Sequence, residues 1–207
     1  METDTFWTLK EPASVETRVK GSRFIGYAAP AGSDLQAKTV IENTGRKFHD
    51  ATHHCYAYQL GLGDSTVFRY NDAGEPAGTA GKPIYECIRK HDLTDVVCVV
   101  TRYFSGTKLG TGGLARAYSG CADAVFKAGI RIKKYLTLPL ILVFAYAHTG
   151  PVMTIIDRYH ADITGTFYGP ETKLEIQVRR SLKDIMKKEL INQTAGKIDI
   201  QSPDREQ

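Results

Sequence analysis

The chain has 207 residues, 42% of them hydrophobic, which is enough for one or two domains with ordinary cores. Lys and Arg number 27 against 23 Asp and Glu, and the resulting charge of +4 excludes a histone-like polycation and leaves only a slight lean toward polyanionic partners. No stretch approaches the ~18 apolar residues of a membrane span, and the acidic start Met1-Glu2-Thr3-Asp4-Thr5 lacks the basic and apolar regions of a signal peptide.

Val15 to Val19 alternates as an antiparallel strand does, Lys20-Gly21-Ser22 turns it, and Arg23 to Ala28 returns. Ser33 or Asp34 can cap a helix reaching about Phe48, with Ala37, Val40, Ile41 and Phe48 on one face. His54 to Leu60 and Val67 to Tyr70 read as a hairpin about Gly61-Leu62-Gly63-Asp64. Pro83 suits the first turn of a short helix to about Lys90, with Ile84, Cys87 and Ile88 inward. Val96 to Phe104 begins as a continuous apolar run, the pattern of a strand covered on both faces. A helix follows from about Gly112 to Lys127. This half reads ββαββαβα and ends at the basic hinge Arg131-Ile132-Lys133-Lys134.

Tyr135 to Ala145 is an apolar strand, and Thr149, as a possible cap, starts a helix to Tyr159. Asp162 to Tyr168 and Lys173 to Val178 are strands about a Gly169-Pro170 turn. Ser181 caps a helix to about Gln193, and Lys197 to Ile200 closes the pattern. The order is βαββαβ, that of a ferredoxin-like domain. An α+β chain of two domains, 1–133 and 134–207, is therefore expected.

The four cysteines, Cys55, Cys87, Cys98 and Cys121, form no Cys-x-x-Cys pair, and three sit among apolar residues as buried free thiols do. A reduced, soluble, cytoplasmic protein with no membrane contact is expected.

Two glycine-rich segments, Asp72 to Pro83 and Ser105 to Gly113, flank the short helix and the apolar strand, and their ends are expected to meet. The second lies between a buried strand and a helix, where free N–H groups and the positive end of the helix dipole attract anions. Lys108 and Arg102 add charge there. Gly110-Thr111-Gly112-Gly113-Leu114-Ala115 fits G-x-G-x-x-A, but no parallel strand ending in an acidic residue follows about 20 residues on. The first segment holds Asp72, Glu75, Thr79 and Lys82, a set suited either to a metal–phosphate pair and acid–base work or to a rigid, self-bonded loop. A binding surface is the favoured reading. His49, His53, His54 and Cys55 do not offer the four convergent ligands of a structural zinc site, and no metal or cofactor is expected. Basic and aromatic residues from Arg23 to Phe104, including Tyr56, Tyr58, Arg69, Tyr70 and Tyr103, suit RNA contact where they share a face, though alternation sets Arg102 and Phe104 opposite Tyr103.

Gly21-Ser22-Arg23-Phe24, His53-His54-Cys55, the run from Asp72 to Pro83 and Arg102-Tyr103-Phe104-Ser105-Gly106-x-x-Leu109-Gly110-Thr111-Gly112-Gly113-Leu114 together resemble the Impact/YigZ family over residues 15–130. The chain departs from the family pattern at Ser105, where a glycine is usual, and at Ala73, where Asp or Asn is usual. If the first glycine needs positive φ, Ser105 implies strain or a relaxed turn. The resemblance implies a first domain like domain 2 of a small-subunit ribosomal protein and a second like a terminal domain of elongation factor G. It also implies a link to translation, which the eukaryotic Impact protein regulates through a partner.

The combined expectation is a non-enzymatic binding protein that contacts RNA, the ribosome or a translation factor. Its contact residues are Lys82, Arg102, Lys108 and the backbone of Gly110, Thr111, Gly112 and Gly113, with Asp72, Glu75 and Thr79 bracing the neighbouring loop. One alternative is an enzyme or binding protein for a phosphorylated small molecule or nucleotide, with Asp72 or Glu75 as base or metal ligand. The other is a protein-interaction adaptor.

Overall fold

In this computed structural model, which describes residues 4–203, strand alternation and two well-placed turns build the first sheet. After β1 (Thr5–Leu9), β2 (Ala13–Val19) and β3 (Ser22–Pro30) form a hairpin. Lys20 and Gly21, at φ 47° and 85°, make its tight turn, the left-handed pair that matches strand twist. Ser33 starts α1 (Asp34–Lys47), its Oγ accepting from the Gln36 N–H at 3.2 Å, and Arg46 and Lys47 complement the dipole in the last turn. Then come β4 (His53–Leu60), β5 (Val67–Asn71), α2 (Gly81–Lys90), β6 (Val96–Tyr103), α3 (Thr111–Ala128) and β7 (Arg131–Tyr135).

The five-stranded sheet has the order β2-β3-β6-β4-β5, antiparallel throughout, so the apolar β6 lies at its centre. Val96, Cys98 and Val100 point to a core shared with Ile84 and Ile88 of α2 and Tyr118, Cys121 and Val125 of α3. Val97 and Val99 point the other way, to Ala37 of α1 and Tyr58. The continuous apolar run is thus a strand buried on both faces. Because β5 and β6 are each antiparallel to β4, they run the same way. The two glycine-rich loops therefore leave the sheet at one edge, and both helices that follow begin there.

The unit made of residues 135–203, with residues 4 and 5, contains β8 (Thr137–Phe144), α4 (Thr149–Arg158), β9 (Asp162–Tyr168), β10 (Thr172–Arg179), α5 (Lys183–Gln193) and β11 (Ile198–Gln201). Its sheet, in the order β11-β8-β10-β9, is antiparallel and ferredoxin-like, as expected. Leu140, Leu142, Phe144, Leu174, Ile176 and Val178 bury one face against Val152, Ile155, Met186 and Leu190 of the helices. Asp4 accepts from Arg179 Nε and Nη2 at 3.0 Å each and from the Ser181 N–H at 3.2 Å, and the arginine bonds hold its carboxyl far below the usual range.

Three local expectations differ from the structure. Thr149 opens α4 rather than capping it, with its hydroxyl donating to the Tyr146 carbonyl at 2.7 Å. Ser181 lies in a short 3-10 turn, and α5 starts after Leu182. The basic stretch 131–134 is strand rather than hinge, because a two-stranded ribbon, β1 with β7, leaves its lysines room to reach solvent. Among the described residues, no helix is long and apolar enough to cross a membrane.

Candidate binding site at the loop edge of the sheet

The loop from Asp72 to Ala80 is organised by its first carboxylate. Asp72 Oδ1 accepts from the N–H groups of Ala80 and Gly81 at 2.9 and 2.8 Å, and Oδ2 from Gly78 at 2.9 Å. Burial alone would raise the Asp72 pKa, but three backbone donors outweigh it and the net shift is downward. The residue at the cap of α2, Ala80, has no side-chain acceptor, so Asp72 caps that helix from a distance. Gly81 must be glycine: an added Cβ would lie 2.7 Å from the Asn71 backbone nitrogen. Thr79 Oγ1 donates to the Pro76 carbonyl at 2.7 Å, and Asn71 Oδ1 accepts from Ala73 N–H at 2.7 Å. Ala73 pays for this turn with φ 45°, followed by Gly74 at 88°.

Glu75 crosses to the second loop's strand. Its Oε1 accepts from Arg102 Nη1 at 2.6 Å and from the Tyr118 hydroxyl at 2.8 Å, with His53 Nε2 3.9 Å away. Arg102 is only 4% exposed; its Nη2 donates to Ser22 Oγ at 3.4 Å, its Nε has no hydrogen-bond partner among the described residues, and the rings of Phe24 and Phe104 flank the guanidinium. Sequence reasoning placed Arg102 at the surface to meet phosphate. The structure places it inside, with its charge engaged by Glu75. A signal was present: Val96, Cys98 and Val100 face the core, and the same alternation carries Arg102 to that side. Through this cluster the first loop bonds to β6, the strand that leads into the second loop, and to α3, the helix that follows it.

The remaining predicted residues are at the surface. Lys82 is exposed and lies 4.0 Å from Glu86 one turn on. Lys108 is exposed in the second loop. Gly110 precedes α3 at φ 71°, ψ 165°, a region closed to other residues, and provides no side-chain cap. The N–H groups of Thr111, Gly112 and Gly113 therefore start an 18-residue helix with no side-chain cap among the described residues. Two cations that the sequence did not single out stand close by. Lys20 and Arg116 line a groove of about 290 Å³ with Val19, Leu109, Gly113 and Ala117, and Arg116 Nη1 would lie 3.5 Å from a Cβ on Gly112. Ser105 keeps ordinary backbone geometry, and Gly106 alone takes the positive φ, 89°; the turn there is relaxed.

The histidines considered as ligands diverge. His53 Nδ1 meets the Ala73 carbonyl at 2.9 Å, His54 Nδ1 meets Thr101 Oγ1 at 3.0 Å, and the Cys55 thiol donates to the Asp72 carbonyl. Among the described residues, Cys87, His91 and Asp123 bring potential ligand atoms within 4.8 Å of one another. There the Asp123 carboxylate already holds Lys127 at 2.6 Å, Lys90 at 3.0 Å and His91 at 3.0 Å, so ammonium groups supply the positive charge.

Residues 20–126 match the family described as the Impact N-terminal domain. IMPACT family member YvyE of Bacillus subtilis (strain 168) is 30% identical over 197 residues, 95% of this chain and 90% of its own length. IMPACT family member YigZ of Escherichia coli (strain K12) is 41% identical over 110 residues, 53% of this chain and 54% of its own. A crystal structure of a protein described as hypothetical has a TM-score of 0.75 at 27% identity, covering 100% of both chains.

Proposed function

The chain belongs to the IMPACT family, and we propose that it is a non-enzymatic, translation-associated regulator of the cytoplasm that binds RNA, the ribosome or a translation factor. The binding is assigned to the first domain, read from the sequence as residues 1–133, at the edge where the two glycine-rich loops leave the sheet; residues 134–207 are read as a second domain, with which residues 4 and 5 are grouped in the structure.

The observation that carries this reading is the contrast between the two helix starts at that edge. The α2 amides are answered internally by Asp72, whereas the α3 start has no side-chain cap among the described residues, Lys20 and Arg116 line the groove beside Gly113, and Lys108 is exposed three residues before Thr111. An uncapped helix start with cations nearby suits a phosphate or carboxylate. Asp72 and Glu75 are both engaged within the protein, which supports binding over a role as base or metal ligand. The link to translation is supported by the family, whose eukaryotic Impact protein regulates that process.

Co-sedimentation with ribosomes and with bulk RNA across a salt series tests the proposal. Binding should fall linearly with salt on logarithmic axes, and Lys82→Ala with Lys108→Ala should reduce that slope by about two charges' worth while leaving the unfolding midpoint unchanged. Binding by the double variant that matches the wild type would overturn this site.

A further inference from the structure

Phe68 and Tyr70 project from the same side of β5 toward α2, where Tyr85 meets them. The Phe68 and Tyr85 ring centroids are 4.5 Å apart with planes 15° from parallel; Tyr70 lies 6.0 Å from Tyr85 at 25° and 6.5 Å from Phe68 at 13°. The three rings therefore form a single near-parallel ledge. A ledge of this kind would ordinarily be core, yet Phe68 is 49% exposed and Tyr70 is 44% exposed. The cause is topological: β5 is the last strand of the sheet and has β4 alone as its neighbour.

The charges around the ledge suggest what would cover it. Lys82 and Arg89 stand three residues before and four after Tyr85, which puts all three on one face of α2. Both are exposed, and Glu86 offsets Lys82 only at 4.0 Å. Two planar residues nearly half exposed, backed by Tyr85 and flanked by cations within a turn of the helix, match the two parts of an unpaired nucleotide: a flat base and a phosphate. A duplex hides its base faces in the stack and would gain nothing from the rings.

We propose that Phe68, Tyr70 and Tyr85 form a stacking platform for unpaired bases of single-stranded RNA, with Lys82 and Arg89 on the flanking phosphates. The proposal rests on the RNA reading above and names the form of RNA that the site takes.

Fluorescence anisotropy on the 207-residue chain tests it, using a labelled single strand of about ten nucleotides and the blunt duplex of the same sequence. The wild type should favour the single strand by about tenfold or more. Phe68→Leu with Tyr70→Leu keeps apolar side chains on the strand and removes the π-faces. It should weaken single-strand binding by about tenfold or more and leave duplex binding as it was. A leucine variant that binds the single strand like wild type, while Lys82→Ala with Lys108→Ala still weakens it, would overturn the platform and leave the phosphate reading standing. No binding of either RNA at low salt would overturn both. Loss of a protein partner in the leucine variant, with RNA binding unchanged, would also overturn it and make the ledge a protein-docking surface.

Discussion

The Arg102 guanidinium lies 2.6 Å from the Glu75 carboxylate, with both side chains about 95% out of solvent. Neither residue can be judged alone. A buried pair recovers its desolvation cost only through close geometry and further hydrogen bonds, which Tyr118 and Ser22 provide here. Removing one partner strands a charge, and Arg102→Met or Glu75→Gln should each cost about 3–5 kcal/mol in urea unfolding. The double variant should cost less than the sum of the two. Strict additivity would mean that the pair is not coupled.

Ala73 invites a stabilising change. An L-residue in the left-handed region costs about 1–2 kcal/mol, and glycine gives back about 0.4–1 kcal/mol through a freer unfolded chain. Relief exceeds that penalty, so Ala73→Gly should raise stability by roughly 0.5 kcal/mol. An unchanged or lower urea midpoint would show that the Ala73 methyl, which packs against the core beneath the loop, matters more than the backbone angle.

Asp72 makes stability depend on acid in a defined sense. Its carboxyl titrates below its ordinary value in the folded chain, so its contribution is complete above the unfolded pKa of about 3.9 and is lost as pH falls through the lower folded value. Asp72→Ala should cost about 1–2 kcal/mol at neutral pH, the worth of a helix cap. The gap between variant and wild type should narrow below about pH 4. A gap that stays constant down to pH 2 would assign the loss to packing instead.

All four cysteines are buried, and burial pushes the Cys55 thiol up to about 12 and those of Cys87 and Cys121 to about 11. Burial raises the Cys98 thiol well above its ordinary value too. A thiol-specific reagent at pH 8 should label none of them on the timescale of a free thiol and all of them in denaturant. Rapid labelling of any one in the native chain would locate a local opening.

The sequence was most readable where one force acted alone. Alternation set β2 and β3, the Lys20-Gly21 turn was legible from its glycine, and Val96 to Val100 announced a central strand. The five-residue β1, Thr5–Leu9, is too short for periodicity to register, and the charges of Arg131, Lys133 and Lys134 read as a basic hinge rather than a strand. At the site, Lys82 and Lys108 lie at the surface as expected. Arg102 was misplaced because charge was weighed above the period-two pattern that carries it inward. The Phe68–Tyr85 contact joins a strand to a helix 17 positions on, and no local pattern encodes it.

The ribbon of β1 and β7 has a consequence for how the larger unit is connected. The Lys10 N–H reaches the Ile130 carbonyl at 2.8 Å, so the segment that enters residues 6–134 and the one that leaves lie side by side. A unit whose two ends share one doorway can be carried by different chains without being rethreaded. The sequence joined on at that doorway is then free to change while the loop edge at Asp72 and Gly110 keeps its shape.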